Sequence, residues 1–278
     1  MNLFTKITKN LYIDTNSMNL DLSGKRAIVC GSTQGIGKGC ALELALLGAS
    51  ITLVARNEDK LRAVITELEN SSGQRHDYIV ADFSFPDELG RKINEYSQRN
   101  PASILVNNTG GPPAGLAIEA GLNEYVSAFA SHLLCNQLLA QAVVPAMKRE
   151  KFGRIINIIS TSVKIPIRGL GVSNTIRGAV ASWSKSLANE LGQYGITVNN
   201  VLPGATMTGR FESVIQGRAS QSGKTFEELK EEMISEIPLK RIAESYEVAA
   251  AVAFLASPAA GYINGINLPV DGGRTGSL

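Results

Sequence analysis

The stretch "VCGSTQGIGKG" (residues 29–39) sets Gly31, Gly35 and Gly37 between a strand-like run and a helix-like one. Before it, "RAIVCG" (26–31) is apolar without a break after its arginine, as a strand buried on both faces reads. After it, Ile36, Cys40, Leu44 and Leu47 form one helical stripe, and Gly48 stands where a C-terminal cap belongs. Glycines at such a turn let backbone amides and a helix N-terminus approach a pyrophosphate with no side chain in the way. Their position, strand before and helix after, carries more meaning than the glycines alone.

Outward from this turn the alternation continues. Further strands are predicted at 50–56, 76–82, 103–108, 154–160, 196–203 and 265–272, with helices at 58–70, 87–99, 123–149, 177–193 and 245–256. The pattern predicts one α/β domain, a doubly wound parallel sheet of about seven strands with helices on both faces. One long departure, 205–242, contains the helical stretch "TFEELKEEMISEI" (225–237) and reads as a lid at the carboxyl edge of the sheet. Because Met18 opens a normal domain start, "MNLDLSGKRAIV", residues 1–17 read as an extension outside the fold, leaving 18–278 as the domain.

The bulk properties exclude more than they assign. With 44% hydrophobic and 19% charged residues the 278-residue chain has ample core material, and a net charge of +2 argues for neither a nucleic-acid nor a membrane partner. No run reaches the ~18 apolar residues of a membrane span, and the first 20 residues lack a signal-peptide core, so a cytoplasmic location is expected. Cys30, Cys40 and Cys135 lack the close spacing of a metal or redox pair, and His76 and His132 lie in unrelated segments. Buried reduced thiols and no metal are expected.

The second strand ends in "LVARNEDKL", with Ala55 where a dinucleotide fold places an acid for the ribose 2'-hydroxyl, and Arg56 next. An arginine fork suits a 2'-phosphate, which favours NADP(H) over NAD(H). Asp82, followed by Phe83 in "VADFS", is placed either to accept from an adenine amino group or to cap the next helix.

These motifs resemble the short-chain dehydrogenase/reductase family, its 3-oxoacyl-acyl-carrier-protein-reductase-like members most, over about residues 18–278. "GSTQGIG" (31–37) resembles the family's T-G-x-x-x-G-x-G turn, with Cys30 in place of the threonine. "NNTG" (107–110) is similar to N-N-A-G, "LPGATMTG" (202–209) to the P-G motif, and "NGINLPVDGG" (264–273) to the last strand and closing turn. The resemblance implies a Rossmann-type nucleotide site built from Gly31, Ser32, Thr33, Gln34, Gly35, Ile36, Gly37, Asn108, Thr109, Gly110, Pro203 and Gly204, with Thr208 on the nicotinamide carboxamide. It also implies a homodimer or homotetramer paired through 123–149 and 177–193. Leu133, Leu138, Val143, Val180, Trp183 and Leu187 are available there for a subunit face or for the core.

The family's catalytic residues carry over only in part. Its serine corresponds to Ser160, but the tyrosine position holds Ser173, the lysine position Arg177 and the asparagine position His132, with Asn136 one turn later as an alternative amide. A serine hydroxyl is a far weaker acid than a phenol, so Ser173 cannot simply replace the tyrosine. Arg177 can bind ribose hydroxyls or an oxyanion but hardly exchanges protons. Lys164, four residues after Ser160 in "STSVKIP", is therefore the candidate donor, its pKa lowered by desolvation and Arg177; Ser160 itself reads either as catalytic or as a capping hydroxyl. "TGGPPAG" (109–115), "SVKIP" (162–166) and "SNTIR" (173–177) resemble a divergent subgroup of the family. The resemblance favours NADP(H)-dependent reduction of a carbonyl on a small-molecule substrate, 3-oxoacyl-like or another ketone, since the family does it most; the alternatives are conjugate reduction of an activated C=C bond, or a regulatory protein that binds the nucleotide without catalysis.

Overall fold

The computed structural model describes residues 18–277. The expected extension 1–17 lies outside the described residues. Seven parallel strands form one sheet in the order β3-β2-β1-β4-β5-β6-β7: β1 (Arg26–Cys30), β2 (Ser50–Ala55), β3 (Asp77–Val80), β4 (Ile104–Asn107), β5 (Gly153–Ile158), β6 (Ile196–Pro203) and β7 (Asn267–Val270). All seven strands lie where the apolar runs predict them. The order reverses between β1 and β4, the switch point above which a doubly wound sheet opens its ligand crevice.

Successive side chains along a strand point to opposite faces, so each continuous apolar run supplies two cores. Ala27 and Val29 join Ile156 and Ile158 in one, covered by α1 (Gly35–Leu46) and the later helix Ser245–Ala256. Ile28 and Cys30 join Leu105 and Ile155 in the other, covered by α3 (Pro86–Arg99) and the helix Cys135–Glu150. Between β2 and β3 runs α2 (Glu58–Ile65), shorter than predicted. The three cysteines are free and buried, and burial pushes the Cys40 and Cys135 thiols up to about 12.

A row of amides, buried on β4 to β6 and half-buried on β7, crosses the sheet beneath the crevice. Asn107, Asn157, Asn200 and Asn267 are in register on β4 to β7 and donate in sequence, Asn107 Nδ2 to Asn157 Oδ1 at 2.8 Å, Asn157 Nδ2 to Asn200 Oδ1 at 3.0 Å and Asn200 Nδ2 to Asn267 Oδ1 at 2.8 Å. Each buried amide is thereby satisfied by its neighbour, at least in part, which offsets its desolvation.

Besides α2, three helical regions differ from expectation. The predicted helix 123–149 is α4 (Leu122–Phe129) and α5 (Cys135–Glu150), joined by a π-helical turn Ala130–Leu134. Instead of 177, α6 (Gly171–Leu191) begins at Gly171. The 205–242 excursion holds two helices, α7 (Gly209–Ser222) and α8 (Phe226–Ser235), packed on a satellite core of Phe211, Ile215 and Ile242 with Met207, Phe226 and Met233. α9 is Ser245–Ala256.

Candidate active site

One open cleft of about 1110 Å³ lies over the carboxyl ends of the strands. Its nucleotide end is the β1–α1 turn. Gly31 and Gly35 take left-handed φ of +59° and +55°, and a Cβ on Gly37 would lie 2.2 Å from the Gly31 carbonyl oxygen. Only glycine permits that closure. A Cβ on Gly31 would meet the Asn108 carbonyl oxygen at 2.7 Å, so the turn and the end of β4 are in contact across the switch point. Asn108 Nδ2 donates to the Cys30 and Gly31 carbonyls at 3.3 Å, which pins that approach.

Thr33, Gln34, Gly35 and Ile36 line the cleft with Gly31, as do Arg56, Asp82, Phe83, Asn108, Thr109, Gly110, Pro203, Gly204 and Thr208. Two of the predicted cofactor residues do not. Ser32 is buried and its hydroxyl accepts the Val54 N–H at 3.1 Å, and Gly37 packs beneath the turn, so both shape the cradle from below. Arg56 Nη1 stands 3.9 Å from Asp82 Oδ2, with Asn57 and Lys60 beside it in the lining. Asp82 Oδ1 accepts from the Ser84 N–H at 2.8 Å; it tightens the turn after β3 and does not cap α3, whose N-cap is Phe85. A steric cradle formed by glycines and a cationic far end together fit a dinucleotide bearing a 2'-phosphate.

At the other end, Ser160, Thr161, Ser173 and Arg177 line the cleft. Ser160 Oγ accepts from Ser162 N–H at 3.1 Å and so caps a short 3₁₀ turn, Thr161–Val163, while its own proton stays free to donate. Ser173 Oγ accepts from Arg177 Nε at 3.3 Å, and Arg177 Nη1 donates to the Ile158 carbonyl at 3.2 Å. Arg177 is thus locked by β5 on one side and by its own helix on the other. Burial, then the charge of Arg210, lowers its pKa to about 10. Asn174 exchanges two hydrogen bonds with the Ile167 backbone, at 3.3 and 2.9 Å, and so holds the loop after β5 against the start of α6. That loop is tied to the segment after β4 by Gly115 N–H to Gly169 O, 2.8 Å, and Gly171 N–H to Gly115 O, 3.0 Å. The three unusual stretches therefore meet at one place.

Two sequence candidates do not line the cleft. Lys164 is exposed at the end of the 3₁₀ turn and outside the cleft lining, because the turn capped by Ser160 carries it toward solvent. Its predicted desolvation is absent. His132 is 5% exposed on the π-helical turn, which rotates it into the core and puts Ser131 on the cleft instead. Burial, then the Arg177 charge, lowers His132 to about 3, so the imidazole is neutral, and its Nε2 has no partner. Asn136 is buried as well.

Sequence reasoning missed Arg210, Arg218 and Arg274, all in the lining. Only the position of Arg210, directly after "TMTG", pointed toward the site. Thr208 Oγ1 accepts from Phe211 N–H at 3.2 Å and so starts α7 there, which aims the following residues across the cleft.

The comparisons agree with this architecture. A family model described as Enoyl-(Acyl carrier protein) reductase matches residues 31–275. The chain is 33% identical to the 3-oxoacyl-acyl-carrier-protein reductase FabG of Staphylococcus epidermidis over 253 residues, 90% of this chain and 98% of that protein. It is 28% identical to the NADPH-dependent reductase BacG of Bacillus subtilis over 261 residues, 92% and 100% of the two chains. The solved structure of L-sorbose reductase from Gluconobacter frateurii, complexed with NADPH and L-sorbose, superposes with a TM-score of 0.86 at 29% identity over 94% of this chain and all of that one. With its glycine turn, switch-point cleft and retained Ser160, the chain belongs to the short-chain dehydrogenase/reductase family of NAD(P)-dependent oxidoreductases.

Proposed function

We propose that this protein reduces a carbonyl group at the expense of NADPH, with Ser160 and Arg177 holding the carbonyl oxygen and without a side-chain acid of phenol strength. The observation that carries the reading is that a glycine-shaped nucleotide cradle and the Ser160–Ser173–Arg177 group line one and the same cleft. Arg56 and Asn57 just after β2 and Lys60 in the first turn of α2 favour the phosphorylated cofactor, as do the NADPH-linked relatives.

When bound, NADPH supplies the hydride. Ser160 donates its hydroxyl proton as a hydrogen bond to the carbonyl oxygen, and Arg177 meets the negative charge that grows there. Ser173 orients Arg177 through Nε and has its own proton free on the cleft side. No tyrosine lines the cleft among the described residues, so the final proton comes from water admitted through the open mouth and relayed by a serine hydroxyl. The two-helix excursion α7–α8 serves as the substrate lid.

The same lack of a phenol supports a second reading, conjugate reduction of an enone or enoyl group, in which an enolate needs charge stabilisation more than immediate protonation. Following NADPH oxidation with simple ketones, 3-oxoacyl thioesters and enones separates the two. On the best substrate, Ser160→Ala lowers kcat by about 10- to 100-fold and Arg177→Met by about 100- to 1,000-fold, the range for losing an oxyanion donor, while Lys164→Ala stays within about twofold. Normal turnover in both the Ser160 and Arg177 variants overturns the assignment. Tight NADPH binding with no turnover on the whole panel identifies a nucleotide-binding protein.

A further inference from the structure

The cleft carries an imbalance that the reduction of a neutral ketone does not use. Six cationic side chains line it against a single carboxylate, Asp82, although the whole chain has 27 basic and 25 acidic residues. Arg56, Lys60 and Asp82 belong to the nucleotide end, and Arg274 is engaged by Glu236. Arg177, Arg210 and Arg218 remain.

Among the described residues none of these three has a carboxylate within 4.0 Å. Arg210 reaches from the first turn of α7 across the cleft, donating from Nη2 to the Pro112 carbonyl at 2.5 Å. Both guanidiniums converge on Gly111, where a Cβ would lie 3.4 Å from Arg177 Nη2 and 3.5 Å from Arg210 Nη2. Arg218, two turns along α7, has one long contact, 3.5 Å, to the Arg168 carbonyl. Two like charges focused on one point of a cleft, each anchored by backbone carbonyls and neither neutralised, form a site for an oxyanion.

We infer that the substrate carries an anionic oxygen group, a carboxylate or a phosphate, which Arg210 binds across the cleft from Arg177. This rests on the reductase reading for its chemistry but not for its geometry. Arg177 faces the reacting oxygen, so Arg210 selects an oxo acid or oxo phosphoester whose anion lies a few bonds from the carbonyl. Arg210 is a specificity residue.

The test uses the full chain saturated with NADPH. Calorimetric titration with malonate, with inorganic phosphate and with neutral malonamide reads the site without turnover, and the two anions separate a carboxylate from a phosphate preference. At least one anion binds the wild type about tenfold or more tighter than malonamide, and Arg210→Gln abolishes that difference while Arg210→Lys retains part of it. NADPH affinity and melting temperature, measured alongside, report whether the variant still folds and holds cofactor. In turnover, the preference in kcat/KM for acetoacetate over its methyl ester, or for a phosphorylated ketone over its alcohol, falls about 30-fold in Arg210→Gln. Absence of an anion preference in the wild type overturns the inference, as does an Arg210→Gln variant that loses NADPH and anion in equal measure, since the arginine then serves the cofactor. If anions bind through Arg210 but no carbonyl is reduced, the reductase reading fails and the anion site stands. If ketones are reduced with no acid-over-ester preference, the reverse holds.

Discussion

His132 shows how a single position changes meaning between sequence and structure. In the sequence it occupies the family's asparagine place and titrates near neutral pH; in the fold it is buried, neutral and beside Arg177. The unfolded chain protonates it near 6.5, the folded one only near 3, so the unfolded state binds more protons throughout that window. Stability therefore falls as pH drops from 6.5 toward 3, by at most about 1.4 kcal/mol per pH unit from this residue. Urea unfolding of wild type and His132→Asn from about pH 7 to about pH 4.5 tests this: the variant's stability declines less steeply over that range. Equal slopes would mean that His132 is not held neutral. Lys164 moved the opposite way, from candidate donor to solvent-facing lysine. Its spacing from Ser160 was readable, but spacing does not say which way a capped 3₁₀ turn points a side chain.

At the scale of elements, the β1–α1 turn was legible in full because its constraint is local. A Cβ at Gly37 would meet backbone 2.2 Å away, and backbone there cannot yield. Gly37→Ala accordingly costs about 1–3 kcal/mol of folding stability and weakens NADPH binding at least about tenfold, measured by denaturant unfolding and by fluorescence titration; unchanged affinity would contradict the cradle. The helices were less legible. The start of α6 at Gly171 was missed because "SN" in "SNTIR" reads as active-site chemistry, whereas Asn174 also fastens the preceding loop. The π-helical turn at Ala130–Leu134 leaves no compositional mark, since one extra residue per turn does not disturb an apolar stretch. α7 was missed because its apolar face meets only a small satellite core, and its sequence is otherwise polar.

For the whole molecule, the apolar residues of the two segments expected to pair, 123–149 and 177–193, are largely spent on the chain's own core. Val143 and Val180 are buried, and Leu133, Trp183 and Leu187 pack on the chain's own core, while Leu138 covers Gly90. Leu122, Val126 and Phe129, at helical spacing on α4, are exposed with Ile118, which at 92% is almost fully so. Val126 and Phe129 fall within 123–149, one of the two segments expected to pair, and we propose that this stripe buries against a second copy. Leu122→Glu combined with Val126→Glu then converts the protein to a 29.6 kDa species in light scattering, while the unmodified chain runs at twice that mass or more. An unmodified chain that is already monomeric refutes it. The sequence alone determined the seven strands, the parallel sheet and the nucleotide turn, because continuous apolar runs and glycine geometry act over a few residues. Only the tertiary structure decided that Arg177 and Arg210 face each other, that Lys164 leaves the site and that four asparagines on four strands align. Those facts depend on the register and approach of segments far apart in the chain, where no local pattern carries the distance.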